Sequence, residues 1–122
     1  MVILRRIYDP PSKVKGPSFL IERLWPRGVK KTSLHLDGWL KDVAPSHGLR
    51  RWFGHDAAKW QEFRRRYFQE LDANPSAWQP LTEASRRGTV ELLYSSRDTE
   101  HNNAVALRDF LESKLRRKAR GA

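Results

Sequence analysis

The segment that most constrains this chain is Phe19-Leu20-Ile21-Glu22-Arg23-Leu24, followed at once by Trp25-Pro26-Arg27-Gly28. Its six residues are almost continuously apolar. A strand of that kind is covered on both faces, as in a parallel sheet, and does not alternate between core and water. Pro26 disfavours helix at the residue before it, and Gly28 tolerates positive φ, so the run ends in a turn.

The rest of the chain supplies the covering layers. Val2–Tyr8 reads as a first strand, stopped by Asp9-Pro10-Pro11, and residues 12–17 read as an exposed loop. Leu36–Val43 reads as either a short strand or a turn of helix. Ser46 is placed to cap a short helix through Leu49, Trp52 and Phe53 that ends at Gly54. Asp56 is a good cap for the next helix, in which Trp60, Phe63, Tyr67 and Leu71 recur at helical spacing and form a core-facing stripe. Asn74-Pro75 opens a further helix to about Arg87. Thr89–Tyr94 is a strand, and a last helix places Ala104, Leu107, Leu111 and Leu115 on one face. The order strand, strand, helices, strand, helix predicts a small three-layer α/β domain: a central, mostly parallel sheet flanked by helices.

At 122 residues the chain suits one domain. We read residues 1–115 as that domain and 116–122 as a basic tail. With no cysteine, disulfides, thiolate zinc sites and cysteine nucleophiles are excluded. The four-residue apolar run at the N-terminus is too short for a signal peptide, and no stretch is long enough to span a membrane, so a cytoplasmic location is expected. The net charge is +10, and five basic residues (Lys114, Arg116, Arg117, Lys118, Arg120) stand among the last nine with no acid between them. Such a tail predicts non-specific attraction to nucleic acid.

Ligands of open α/β sheets bind beyond the carboxyl ends of the strands. Two segments follow strands here, Arg23–Gly28 and Ser95–Asn102, and parallel neighbouring strands would bring them to one edge. Arg23 and Arg27 offer planar forks of donors for phosphate or carboxylate, and Trp25 offers a flat face. An equally direct reading makes Trp25 core and pairs the arginines with Asp37 or Asp42. In the second segment, His101 beside Asp98 has the makings of a proton-handling pair, although Asp98 or Thr99 is also placed simply to cap the last helix. His35, His47, His55 and His101 lack paired metal-ligand spacing. There is no phosphate loop, no Gly-x-Gly-x-x-Gly and no nucleophile elbow, so no particular cofactor is implied.

Five stretches in order give the chain a family likeness: Arg-Leu-Trp-Pro-Arg-Gly (Arg23–Gly28), Trp39–Ser46, Arg51–Asp56, the helix carrying Phe63, Arg66 and Tyr67, and Leu92–Ala104. From about Ile7 to Leu115 the chain resembles the YeaO-like family, a bacterial branch of domain-of-unknown-function family 488. The resemblance implies a compact α/β fold with a mostly parallel sheet and no particular activity. It places Arg23, Trp25, Arg27, Lys41, Asp42, Arg97, Asp98, His101 and Asn102 within motif stretches.

The expectation is therefore a pocket for an anionic small molecule, such as a nucleotide or a phosphorylated or carboxylated metabolite. Arg23, Trp25, Arg27, Lys41, Arg97 and Asn102 would bind it, and His101 and Asp98 would supply any proton chemistry. The alternative is a nucleic-acid-binding accessory protein that uses the tail and the Arg64–Arg66 face.

Overall fold

The computed structural model describes residues 1–11, 13 and 15–121, the last four as helix only. Four strands, β1 (Val2–Arg6), β2 (Ser18–Leu20), β3 (Gly38–Trp39) and β4 (Val90–Tyr94), form one sheet in the order β1-β4-β2-β3. Every neighbouring pair is parallel. β4 is central and buried along its whole length, as a strand covered on both faces requires.

Alternation along the strands sorts the two layers. Val90, Leu92 and Tyr94 join the large core with Val2 and Ile21. That core is closed by α1 (His47–Phe53), α2 (Trp60–Asp72), α3 (Pro75–Arg87) and α4 (Asn103–Gly121). Leu93, Leu20 and Ile7 form a second core beneath Trp25, Val29, Leu34, Leu36 and Trp39. The molecule is thus the small α/β domain expected, with its α-helices gathered against the first core. Residues 25–37 cover the other face as irregular chain with one 3-10 turn, Lys31–Ser33, and lead into β3. Pro26 and the left-handed Gly28 (φ 74°) keep the start of that cover out of helical geometry.

The stripe on α2 behaves as its spacing predicts: Phe63, Tyr67 and Leu71 are buried, and Trp60 is half-buried. Burying side chains of this size contributes about 1.5–3 kcal/mol each. Ser46 caps α1 by accepting the Leu49 amide, and Gly54 ends it in the left-handed region at φ 54°. The segment at Leu36–Val43 is both things its sequence allowed, the two-residue strand β3 and then a 3-10 turn at Lys41–Val43.

Several boundaries differ from the sequence reading: β1 ends at Arg6 and not Tyr8, and Asp56 caps a 3-10 turn, Ala57–Lys59, that precedes α2. β2 stops at Leu20, since Glu22 and Arg23 turn their side chains to partners outside the ladder. The last helix starts only at Asn103. Asp98 accepts the amides of Glu100 and His101 in a separate turn, and it is Asn102 whose Oδ1 accepts the Val105 amide at the helix start. α4 continues through 116–121 without a break at Leu115, and the side chains of Lys118 and Arg120 in the expected tail lie outside the described residues. Among the described residues, no helix is long and apolar enough to cross a membrane.

Candidate functional site

A cavity of about 270 Å³ opens at the carboxyl edge of the sheet, between the ends of β2 and β4. This is where a parallel α/β sheet offers a ligand site. The chain reaches it from four directions. Glu22 arrives just after β2, and Ser95 and Ser96 just after β4. His47, Arg50, Arg51 and Phe53 come from α1, with His55 beyond its cap. His101, Asn102 and Asn103 come from the start of α4.

Glu22 anchors the floor. Its Oε1 accepts the Ser95 amide at 3.0 Å and the Ser95 hydroxyl at 3.2 Å. Its own carbonyl accepts the Trp39 indole N–H at 2.6 Å, and the preceding carbonyl, that of Ile21, accepts Asn103 Nδ2 at 3.0 Å. The backbone there is tied on both sides. Burial pushes the Glu22 carboxyl above the usual carboxylate range, against the opposing pull of the Ser95 donors, the Arg50 charge and the Asn103 side-chain amide. Its second oxygen makes no close hydrogen bond among the described residues, although the Asn103 amide, which donates to the Ile21 carbonyl, stands beside the carboxyl.

The rim is basic. Arg50 and Arg51 line the cavity, and neither guanidinium has a hydrogen-bond or ion-pair partner among the described residues. His101 is fixed in orientation: Nδ1 lies 3.0 Å from Asp98 Oδ2, and the ring stands edge-on to Trp60 at 5.4 Å. Nε2 is then the nitrogen left for a ligand. Hydrogen bonds from the Glu100 and His101 amides, aided by His101 itself, hold the Asp98 carboxyl below its usual range. His55 is the one non-glycine residue with positive φ among those described, at 58°. Among the described residues, no cluster of His, Asp and Glu has the arrangement of a metal site.

Of the residues singled out from sequence, the structure brings His101 and Asn102 to this cavity, with Asp98 behind His101. Arg97 and Asp98 border an adjoining depression shared with His55, Ser95 and Ser96. Asn102 is buried, with both ends of its amide engaged: Nδ2 donates to the Asp98 carbonyl, and Oδ1 receives the Val105 amide.

Arg23, Trp25, Arg27 and Lys41 are not brought there. Arg23 donates from Nε to the Pro45 carbonyl at 2.9 Å and from Nη2 to that of Ala44 at 3.1 Å, so it braces the outside of a cavity wall. Its partners are carbonyls, and neither Asp37 nor Asp42 takes part. Trp25 packs under the opposite sheet face, 5.2 Å from Trp39, and donates to the Val29 carbonyl. Arg27 is exposed, and its carbonyl receives the Tyr8 hydroxyl. Lys41 lies over the Trp39 ring at 4.0 Å. Beyond Leu20 the chain has left the ladder, and it carries Glu22 to the cavity and then Trp25 under the opposite face of the sheet.

Glu22, Arg50, Arg51, His47 and His55 were not singled out as site residues. A signal existed for two of them. Glu22 is the only acid in an apolar run, at its carboxyl end, and Arg51 opens the motif Arg51–Asp56. Arg64, Arg65 and Arg66, by contrast, are engaged within the fold. Arg64 pairs with Asp109, Arg65 and Arg66 share Glu62, and Arg66 also covers Trp52 at 4.2 Å. Those two guanidinium groups hold the Glu62 carboxyl down at about 2.

The sequence belongs to a recognisable family. The whole chain, residues 1–122, matches the family described as the inactive DUF488-N3 subclade. It is 38% identical over 109 residues to the uncharacterized protein YeaO of Escherichia coli, covering 89% of this chain and 95% of that one. It is also 31% identical over 113 residues to the uncharacterized protein Rv3073c of Mycobacterium tuberculosis, covering 93% and 95%. No solved structure matches. The chain belongs to the DUF488 family, as a YeaO-like member of that subclade.

Proposed function

We propose that this protein binds a small anionic molecule in the cavity at the carboxyl edge of the sheet, as a binding module and not as a catalyst. The observation that carries the reading is the pair Arg50 and Arg51, which border the cavity and make no ion pair among the described residues, Glu22 acting on Arg50 only from a distance. A guanidinium left unpaired beside a concave, partly apolar site is suited to phosphate or carboxylate. His101, braced by Asp98, adds a hydrogen-bonding nitrogen at the same site and serves to position the ligand. A cytoplasmic location, where phosphorylated metabolites are held, belongs to the same reading. The description of the subclade as inactive agrees with binding without turnover.

The test is a thermal-shift and calorimetric screen against inorganic phosphate, nucleotides, sugar phosphates and organic acids, run on the natural chain and on Arg50→Ala. A ligand at a hundred times its dissociation constant adds about 2.7 kcal/mol of stability, which shows as several degrees. A shift seen in the natural chain and lost in Arg50→Ala supports the reading. No shift with any of these compounds at millimolar concentration overturns it.

A further inference from the structure

Resting on that reading, we infer that the ligand is a nucleotide whose base presents an exocyclic amine to the free oxygen of Glu22 while its phosphate meets Arg50 and Arg51. Three features of the cavity select this class. The floor is a carboxylate with one oxygen already filled: Oε1 takes both the amide and the hydroxyl of Ser95. Oε2 makes no close hydrogen bond and is left to face an occupant beside the Asn103 amide; as a carboxylate oxygen it accepts and does not donate. The rim is cationic, so the occupant carries a donor at one end and an anion at the other. Between them the wall is aromatic, with Phe53 and the His101 ring, the latter held edge-on by Trp60. A planar heterocycle fits such a wall better than a flexible chain does. A volume of about 270 Å³ is at the lower end for small-ligand sites and suits one base with its sugar, leaving the phosphate at the mouth.

The Ser95 contact makes the inference sharply testable. In Glu22→Gln the Ser95 amide still requires an acceptor, so the side-chain oxygen stays at the Oε1 position and the new NH2 is forced to the Oε2 position. The group facing the base changes from acceptor to donor with almost no change in shape. Preference then inverts, from a base with an amine to its counterpart with a carbonyl.

The experiment is calorimetric titration of the natural chain and Glu22→Gln with cytidine and uridine monophosphates, repeated with adenosine and inosine monophosphates. The natural chain binds the amine-bearing member of each pair about tenfold or more tighter, the scale set by one unpaired polar contact. Glu22→Gln reverses the order. Equal affinity within both pairs, or an order unchanged by Glu22→Gln, overturns the inference. If binding in that case is still lost in Arg50→Ala, the anionic-ligand reading stands without it. If no phosphate compound binds, both fall. The amine-over-carbonyl preference of the natural chain is itself a test that needs no variant to fold.

Discussion

Glu22 and Ser95 lie 73 residues apart in the chain, yet one carboxylate oxygen of Glu22 accepts both the amide and the hydroxyl of Ser95. The contact joins the ends of β2 and β4, two neighbouring parallel strands. It fixes the floor of the cavity from both sides, and it places a carboxylate where water is partly excluded. The carboxylate that ties the two strand ends together is thus the same one that lines the cavity.

That coupling has a pH signature. The Glu22 carboxyl is raised in the folded protein, from an ordinary value of 4.5, by burial. A group raised on folding contributes stability that is complete below its unfolded pKa and is lost as pH rises through its folded pKa. Glu22→Gln removes this dependence while keeping the acceptor for Ser95. The difference in melting temperature, Glu22→Gln minus natural chain, is expected to grow more positive from pH 4 towards pH 7. Taking the difference cancels other titrating groups, including Asp98, whose lowered carboxyl acts in the opposite sense. A difference that is flat or falls with pH contradicts the assignment.

Sequence alone suggests Arg23 as the ligand's partner, but it is Arg50 that lines the cavity. Arg23 braces the carbonyls of Ala44 and Pro45 with two hydrogen bonds from a charged donor. Its replacement by Ala leaves those carbonyls with lost partners and is expected to lower stability by about 2 kcal/mol. Ligand affinity, measured well below the melting temperature, should stay nearly unchanged. Arg50→Ala is expected to do the reverse: stability within about 0.5 kcal/mol of the natural chain, as for surface changes, and ligand binding lost. Urea unfolding with parallel titrations of both variants separates the roles.

Asn102 is a structural residue at the rim of the site. Its amide links the Asp98 turn to α4 by donating to the Asp98 carbonyl and accepting the Val105 amide. Asn102→Ala removes a helix cap and strands buried polar groups, for an expected loss of about 1–3 kcal/mol. Asn102→Asp keeps the cap acceptor and gives up the donor, so it is expected to fall between the two in urea unfolding.

These assignments show where the sequence was legible. Ser46 and Gly54 bracket α1 because a capping hydroxyl and a left-handed terminus are local requirements that the residues announce. The stripe Phe63, Tyr67, Leu71 is likewise local, one face of one helix. The cavity beyond the strand ends follows from topology, and the placement of His101 in its lining follows with it. The roles of Arg23 and Glu22 are not local. A guanidinium bonded to carbonyls looks in sequence like one free for an anion, and which of two adjacent residues faces the cavity depends on where β2 ends. The start of α4 was obscured for a similar reason: Asp98 makes a cap-like turn of its own five residues before the helix begins.

His55 carries the last prediction. It follows Gly54 in the chain, and both hold left-handed backbone, at φ 58° and 54°. For a residue with a Cβ this conformation costs about 1–2 kcal/mol, whereas glycine adopts it freely. Strained backbone of this kind clusters at ligand sites, which makes the His55 side chain a residue to test. His55 borders both the main cavity and the adjoining depression at Arg97 and Asp98. It is exposed and packs only loosely, 6.5 Å from the Phe53 ring, so little is lost from the core on its removal. His55→Gly is therefore expected to raise stability by about 0.5–1 kcal/mol while weakening ligand binding. His55→Ala keeps the strain and loses the imidazole, so it should weaken binding without the gain. If His55→Gly leaves affinity unchanged, the strained backbone serves only to end α1, and His55 has no part in the site.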